Sequence, residues 1–220
     1  MANRDERIRL MRAYCRFVQA AEARGAEAIA GVIRGHPELL SLRGNGLLTL
    51  VARRCPKLLE TVFQAGLHPD LGGSEVDWTL LQSVAIDNMR DFPELRDLVP
   101  QPGGPDWVEI DALTQRPASS DNVALVRLCL RYGADVDLRN CEGETALGFA
   151  AAYNEFEVVR VLVEEGGADV NALEGRPGEY PSTALDAAGM DSPGYERIHA
   201  YLKEHGAKRA RELLGERDES

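Results

Sequence analysis

Lysine is almost absent from this chain: 3 of its 220 residues are Lys against 22 Arg, and these 25 cations face 36 acids for a net charge of −11. A chain so short of positive charge is poorly suited to nucleic acid, whose binding rests on neutralising phosphates with Lys and Arg. Long apolar runs are missing too. Arg, Glu or Gly interrupts every one well before the ~20 residues that a membrane span needs, so no membrane association is expected. The opening residues, MANRDER, carry both signs and lead into no apolar stretch, unlike a secretory leader. Cys15, Cys55, Cys129 and Cys141 stand apart, with no CxxC pair and no His at zinc spacing, as suits reduced thiols in the cytoplasm.

The motifs of common chemistries are also lacking. No GxxxxGK[ST], GxGxxG or HExxH occurs. His199 and His205 are six apart on an expected helix and point to different faces, so they cannot share a metal. His36 and His68 each precede a proline in a turn, which suits structural roles. Gly72-Gly73 and Gly103-Gly104 have neither a lysine nor a following helix of the phosphate-binding kind. No catalytic residue, cofactor or metal ligand is expected. The preference for Arg over Lys, with abundant Ala and Gly, is compatible with a GC-rich bacterial genome.

Charge is unevenly spread. Residues 1–34 hold seven Arg against four acids, or +3, which leaves −14 for the rest. Between Glu142 and Glu179 nine acids meet only Arg160 and Arg176, a balance of −7. Such a surface would steer a basic protein partner; it would equally serve solubility.

What the chain does have is self-similarity. Residues 123–137, VALVRLCLRYGADVD, repeat as residues 156–171, FEVVRVLVEEGGADVN, at an offset of 33 to 34. That period marks stacked supersecondary units, none of which can bury its apolar face alone. In the clearest unit Asn140 to Thr145 make a turn in which Gly143 supplies a positive φ. Thr145-Ala146-Leu147 open a short helix, Asn154 ends it, and Phe156, Val158, Val159, Leu162 and Val163 recur at helical spacing. Gly166 and Gly167 stop the second helix.

These residues resemble the ankyrin repeat family, whose unit is similar to D-x-x-G-x-T-P-L-H-x-A-A, a second helix, and G-A-D-V-N. The matching residues are Asn140, Gly143, Thr145, Leu147, Ala150, Ala151 and residues 167–171. The departures are Ala146 for Pro and Gly148 for His, the latter losing the side chain that in the family ties turn to helix.

Other units are more worn. Residues 183–188 and 195–206 form a final repeat, with inserts at 175–181 and 191–194. Upstream, residues 47–52 and 58–66 fill two helices, followed by a turn at 67–70. Residues 77–85, with Thr79 66 residues ahead of Thr145, open the next unit. Asp106-Trp107 and the residues to 113 echo that segment and open another. His36-Pro37, Cys55-Pro56 and Phe92-Pro93 share a core that suits the first turn of a second helix.

The expectation is an all-α, ankyrin-type helix-turn-helix solenoid of about five repeats, several degenerate. Residues 1–45 would hold N-terminal cap helices (5–24 and 26–34) and a first worn unit, and 46–206 one continuous repeat domain. A charged helix over 203–216 would close the far end, making 207–220 a cap and tail. Residues 99–105, dense in Pro and Gly, would form a loop or kink.

The resemblance implies a non-catalytic protein–protein interaction module that uses the concave surface of turn tips and inner helices, as adaptor, inhibitor or immunity-type neutraliser. A monomer is expected. Mapped position by position, the binding residues are Arg53, Arg54, Trp78, Trp107, Arg139, Glu142, Glu144, Tyr153, Glu174, Arg176 and Tyr180. Trp, Tyr and Arg are the side chains most often found as interface anchors, although a Trp before this helix can also pack between turns. The alternative is a host-directed effector or enzyme accessory with a small activity in residues 66–120, for which Asp77, Asp87, Asp106 and Asp111 would be the carboxylates.

Overall fold

The computed structural model of the chain describes residues 31, 56–64, 66–71, 79–86, 121–188 and 195–215. Eight helices are defined within these residues: α1 (Pro56–Gln64), α2 (Leu80–Ala85), α3 (Asn122–Arg131), α4 (Ala146–Ala152), α5 (Phe156–Glu164), α6 (Ala184–Ala187), α7 (Tyr195–Glu204) and α8 (Ala210–Leu213). Among the described residues, extended pairing is limited to one antiparallel bridge, Glu174–Ser182.

Local chemistry sets the helix boundaries. Thr79, Thr145 and Thr183 are extended N-caps whose hydroxyls accept from the backbone N–H three residues on. Asp121 caps α3 by accepting from Ala124 N at 3.0 Å. α1 starts at Pro56, where the missing N–H costs nothing. Beyond α1, α3, α5 and α7 stands in each case a glycine with positive φ: Gly66, Gly133, Gly167 and Gly206. Asn154, at φ 63°, makes the reversal between α4 and α5.

The helices pair as α2 with α3, α4 with α5, and α6 with α7. First helices α2, α4 and α6 pack in sequence, as do second helices α3, α5 and α7. α1 is the second helix of the preceding unit. The Phe63 ring lies 5.1 Å from that of Tyr132 beyond the end of α3, and Tyr132 donates to Glu60 Oε1 at 3.4 Å. A single apolar cluster runs from Leu59 on α1 to Ala207 after α7. α5 buries Val158, Val159, Val161 and Leu162 on one face, each worth about 2 kcal/mol of transfer free energy.

This pairing changes the register expected upstream. Thr79 was placed two periods before Thr145, with a separate first helix at 106–113 between them. The structure instead seats α2 directly against α4, and Gln82 Nε2 donates to Glu144 O at 2.8 Å across 62 residues. α2 and α3 are thus the two helices of one unit, and residues 87–120 lie between them in the chain. Residues 106–113 were expected to supply the first helix of that unit. They lie outside the described residues, as do the expected cap helices, 47–52, the motifs at His36 and Phe92, and the loops 99–105 and 191–194.

A second ladder, on the loops after the second helices, fixes the same register. Asp135 N donates to Asp70 Oδ2 at 2.9 Å, Asp169 N to Asp137 Oδ1 at 3.0 Å, and Lys208 N to Asn171 Oδ1 at 2.8 Å. Each step ties one loop to the next unit, and Asp70 reaches Asp135 with 65 residues intervening. Within the loops Asp137 N and Asn171 N donate to the carboxylates of Asp135 and Asp169, while Asp70 N donates to His68 Nδ1 at 3.2 Å.

The far end also departs from expectation. No single helix covers 203–216: α7 stops at Glu204, Gly206 takes φ 83°, and the chain turns back before the one-turn α8. Asn171 holds this strap through Lys208 N and Gly206 O, and Thr183 Oγ1 donates to Lys208 O at 3.0 Å. Ala207 and Ala210 are buried beneath it.

Candidate functional site

The turn ahead of α4 is built around Asn140, which is 3% exposed. Its Oδ1 accepts from Glu142 N at 3.0 Å and Glu144 N at 2.9 Å, and its Nδ2 donates to Glu144 Oε2 at 2.9 Å. Gly143, at φ 78°, closes the tip, and its carbonyl accepts from Gly175 N at 3.3 Å. A Cβ at position 143 would run into the Gly175 backbone, so glycine is required by conformation and by the close approach of the next tip.

The third helical position carries the tie between units. In α2 it is Gln82, whose Oε1 accepts from Thr79 N at 2.7 Å while its amide reaches Glu144 O. In α6 it is Asp186, whose Oδ2 accepts from Thr183 N at 3.1 Å and Ala210 N at 2.8 Å. In α4 it is Gly148, which has no side chain to offer. Glu174 of the following unit fills the gap. Its Oε1 accepts from Thr145 N at 3.1 Å and from Thr145 Oγ1, and a Cβ at 148 would collide with its carboxyl group. The tie that Gly148 was expected to lose is therefore restored from outside the unit.

Glu174 was expected on the binding surface, and the structure corrects this: the residue is 4% exposed and points inward. Burial pushes its carboxyl up to about 7, against the lowering effect of the two Thr145 hydrogen bonds. Glu144 raises it further and Arg139 lowers it.

The other expected positions divide in two. Arg53, Arg54, Trp78 and Trp107 lie outside the described residues. Arg139, Glu142, Glu144, Tyr153, Arg176 and Tyr180 fall on the turns and at the end of α4. Arg139 donates to Leu173 O and to Gly143 O, and Arg176 pairs with Glu142, so these charges bind consecutive tips to one another. Tyr153, 43% exposed, caps α4 and stacks on Phe149 with centroids 6.1 Å apart. Tyr180, 61% exposed, stands on the 175–180 loop, all of which is exposed. Leu214 is the one other large apolar side chain exposed among the described residues.

The opposite face is laced with ion pairs that sequence reasoning did not find. Arg127 of α3 grips Glu165 with Nη2–Oε1 at 2.6 Å and Nε contacts at 2.9 and 3.0 Å. Arg160 pairs with Glu157 and Glu164, and Arg197 of α7 with Glu157. Arg197 also covers the Phe156 ring at 3.6 Å, and Tyr201 donates to Glu164. Four of the nine acids counted between Glu142 and Glu179 thus sit against arginines, two of them from outside that stretch. The signal was periodic: Arg127, Arg160 and Arg197 recur about one unit apart.

The expected structural role of His68 is seen in its bond to Asp70 N, and no group of three metal-ligating side chains gathers among the described residues. Cys129 is fully buried, which pushes its thiol well up and leaves it inert, while Cys141 is an exposed thiol at the tip, with Sγ 3.8 Å from Glu142 Oε1. No described helix is long and apolar enough to cross a membrane.

Residues 112–210 match the sequence model for ankyrin repeats, in three copies, and this part of the chain is built of ankyrin repeats, which are protein–protein interaction units. The chain is also 41% identical over 51 residues to the NF-kappa-B inhibitor cactus of Drosophila yakuba, covering 23% of this chain and 10% of the relative. Against the protein of the same name in Drosophila melanogaster it is 42% identical over 48 residues, 22% of this chain and 9% of the relative. The chain thus matches about a tenth of the length of either relative.

Proposed function

We propose that this chain is a non-catalytic module that occupies a protein partner with the side formed by its turn tips and first helices, acting as a monomeric inhibitor, adaptor or neutraliser. One observation carries this. Ion pairs between units close the second-helix face, whereas Tyr153 and Tyr180 stand exposed on the turn and first-helix side. Exposed aromatics on a rigid frame supply contact area at low entropic cost. The name of the matched relatives supports an inhibitory mode, through a shared segment of about one and a half repeats. The net charge of −11 favours a basic partner by long-range steering.

The test is affinity capture from native lysate with mass spectrometry, using the wild type and a Tyr153→Ala/Tyr180→Ala variant. A stoichiometric protein held by the wild type, and weakened by the variant by about 2 kcal/mol or more with an unchanged unfolding midpoint, is the expected result. Equal retention by both forms would remove these aromatics from the interface.

A further inference from the structure

The exposed loop between Glu174 and Ser182 is closed at its base by a two-bond bridge, Glu174 N to Ser182 O at 2.8 Å and Ser182 N to Glu174 O at 3.0 Å. Its attachments to the preceding unit are Gly175 N to Gly143 O, Arg176 to Glu142, Arg139 to Leu173 O, and the Glu174 side chain beneath Thr145. The first three are exposed. The Glu174 carboxyl is the buried anchor, and it is unevenly satisfied. Oε1 takes both Thr145 donors, whereas Oε2 fills the space above Gly148 and no described donor reaches it. A neutral acid suits this seat better than a carboxylate: its carbonyl oxygen accepts twice, and a buried hydroxyl short of an acceptor costs less than a buried charge. A carboxylate there leaves a charged oxygen buried and unpaired.

The charges around the seat do not offset that. Glu144, on the turn before α4, repels an ionised Glu174, and Arg139 on the same turn attracts it but ends on backbone carbonyls. α4, Ala146–Ala152, contributes no titratable side chain. Asp186 of α6 is engaged with Thr183, Ala210 N and Arg209. Gln82 of α2 is uncharged and ends on Thr79 and Glu144 O.

We propose that Glu174 is a pH-operated latch on the 175–181 loop: as the neutral acid it docks under Thr145 and holds the loop against the preceding turn, and on ionising it leaves the seat and frees the loop. This rests on the reading of the turn side as the binding surface, because the loop carries Tyr180 and Arg176. The latch sets whether those side chains are presented on the preceding turn or apart from it. Release falls near neutrality, where burial places the carboxyl.

The direction follows from proton linkage. Between the ordinary glutamate value of 4.5 and about 7 the folded chain holds a proton that the open chain has lost. Closure is therefore strongest at and below the lower value, weakens as pH rises through the window, and is level beyond it.

The test uses the isolated full chain and three forms: wild type, Glu174→Gln and Gly148→Ala. Carboxyl-carbon NMR follows Glu174, and amide hydrogen exchange, corrected for intrinsic rates, follows Ser182 and Gly175 between pH 4.5 and 8. In the wild type the Glu174 carbon titrates near pH 7, and the opening equilibrium at Ser182 rises on the order of 100-fold across the window. Glu174→Gln, which keeps an acceptor and cannot ionise, abolishes that rise. Gly148→Ala, whose new methyl evicts the carboxyl, opens the loop at every pH and returns Glu174 to ordinary titration. A Glu174 carbon titrating near 4.5 in the wild type, or a Ser182 profile identical in wild type and Glu174→Gln, overturns the latch. Neither readout involves a partner, so absence of a captured protein would sink the interaction reading and leave the latch standing.

Discussion

The joint from α2 to α4 and the joint from α4 to α6 meet the same demand with side chains from opposite sides. In both, a threonine N–H at the mouth of a short helix needs an oxygen, and two units need a tether. Gln82 supplies the oxygen from its own helix and reaches forward with its amide. Gly148 supplies nothing, and Glu174 reaches back from the next unit. What persists between the joints is the place of an oxygen atom. The residue delivering it is free to change, with one cost: Gln82 is neutral at every pH, whereas Glu174 brings an ionisable group into a buried seat.

Five measurements sharpen or break this contrast. The largest effect is expected from pH itself. Glu174 alone contributes on the order of 3 kcal/mol of stability at pH 4.5 that is gone above about pH 7. Urea unfolding of the wild type minus Glu174→Gln isolates it, and a difference that stays flat with pH would break the contrast. Next, Glu174→Ala at pH 5 leaves Thr145 N and Oγ1 without their acceptor, at about 2 to 3 kcal/mol. Gln82→Ala should cost about 1 to 2 kcal/mol for the lost cap and tether, with no pH dependence of its own. Gly148→Ala is expected to destabilise by about 1 kcal/mol at pH 5, although the same change in an unobstructed helix stabilises by a similar amount. A stabilised Gly148→Ala protein would mean that Glu174 does not hold the seat. Last and smallest, Arg127→Ala on the outer face should leave the midpoint unchanged at moderate salt, because exposed pairs are screened.

Much of this was legible in the residues. The unit from Asn140 to Gly167 follows from its turn glycine, its capping threonine and the apolar stripe of α5, and Pro56 marked the start of α1. The register before residue 120 was misread for a definite reason. The segment between α2 and α3 is close to one repeat in length, so Thr79 falls 66 residues before Thr145 and imitates two regular steps. Counting along the chain cannot tell a whole extra unit from an excursion of that size; contacts such as Gln82–Glu144 and Asp70–Asp135 can. Glu174 was misassigned because position-by-position mapping onto the family's turns puts it among the binding positions, and such a mapping cannot show a side chain that turns inward. Only the missing Cβ at Gly148 hinted at a vacancy to fill.

The excursion between α2 and α3 has a practical consequence. In the next unit the corresponding connection is Tyr153–Glu155, so the connection here is roughly ten times as long in sequence. Polymer closure grows only logarithmically, and a tenfold longer path costs about 2 kcal/mol, little against the apolar burial along the stack. By that scaling the length of this connection is a weak lever on the stability of the stack, so sequence added between α2 and α3 is expected to cost little more.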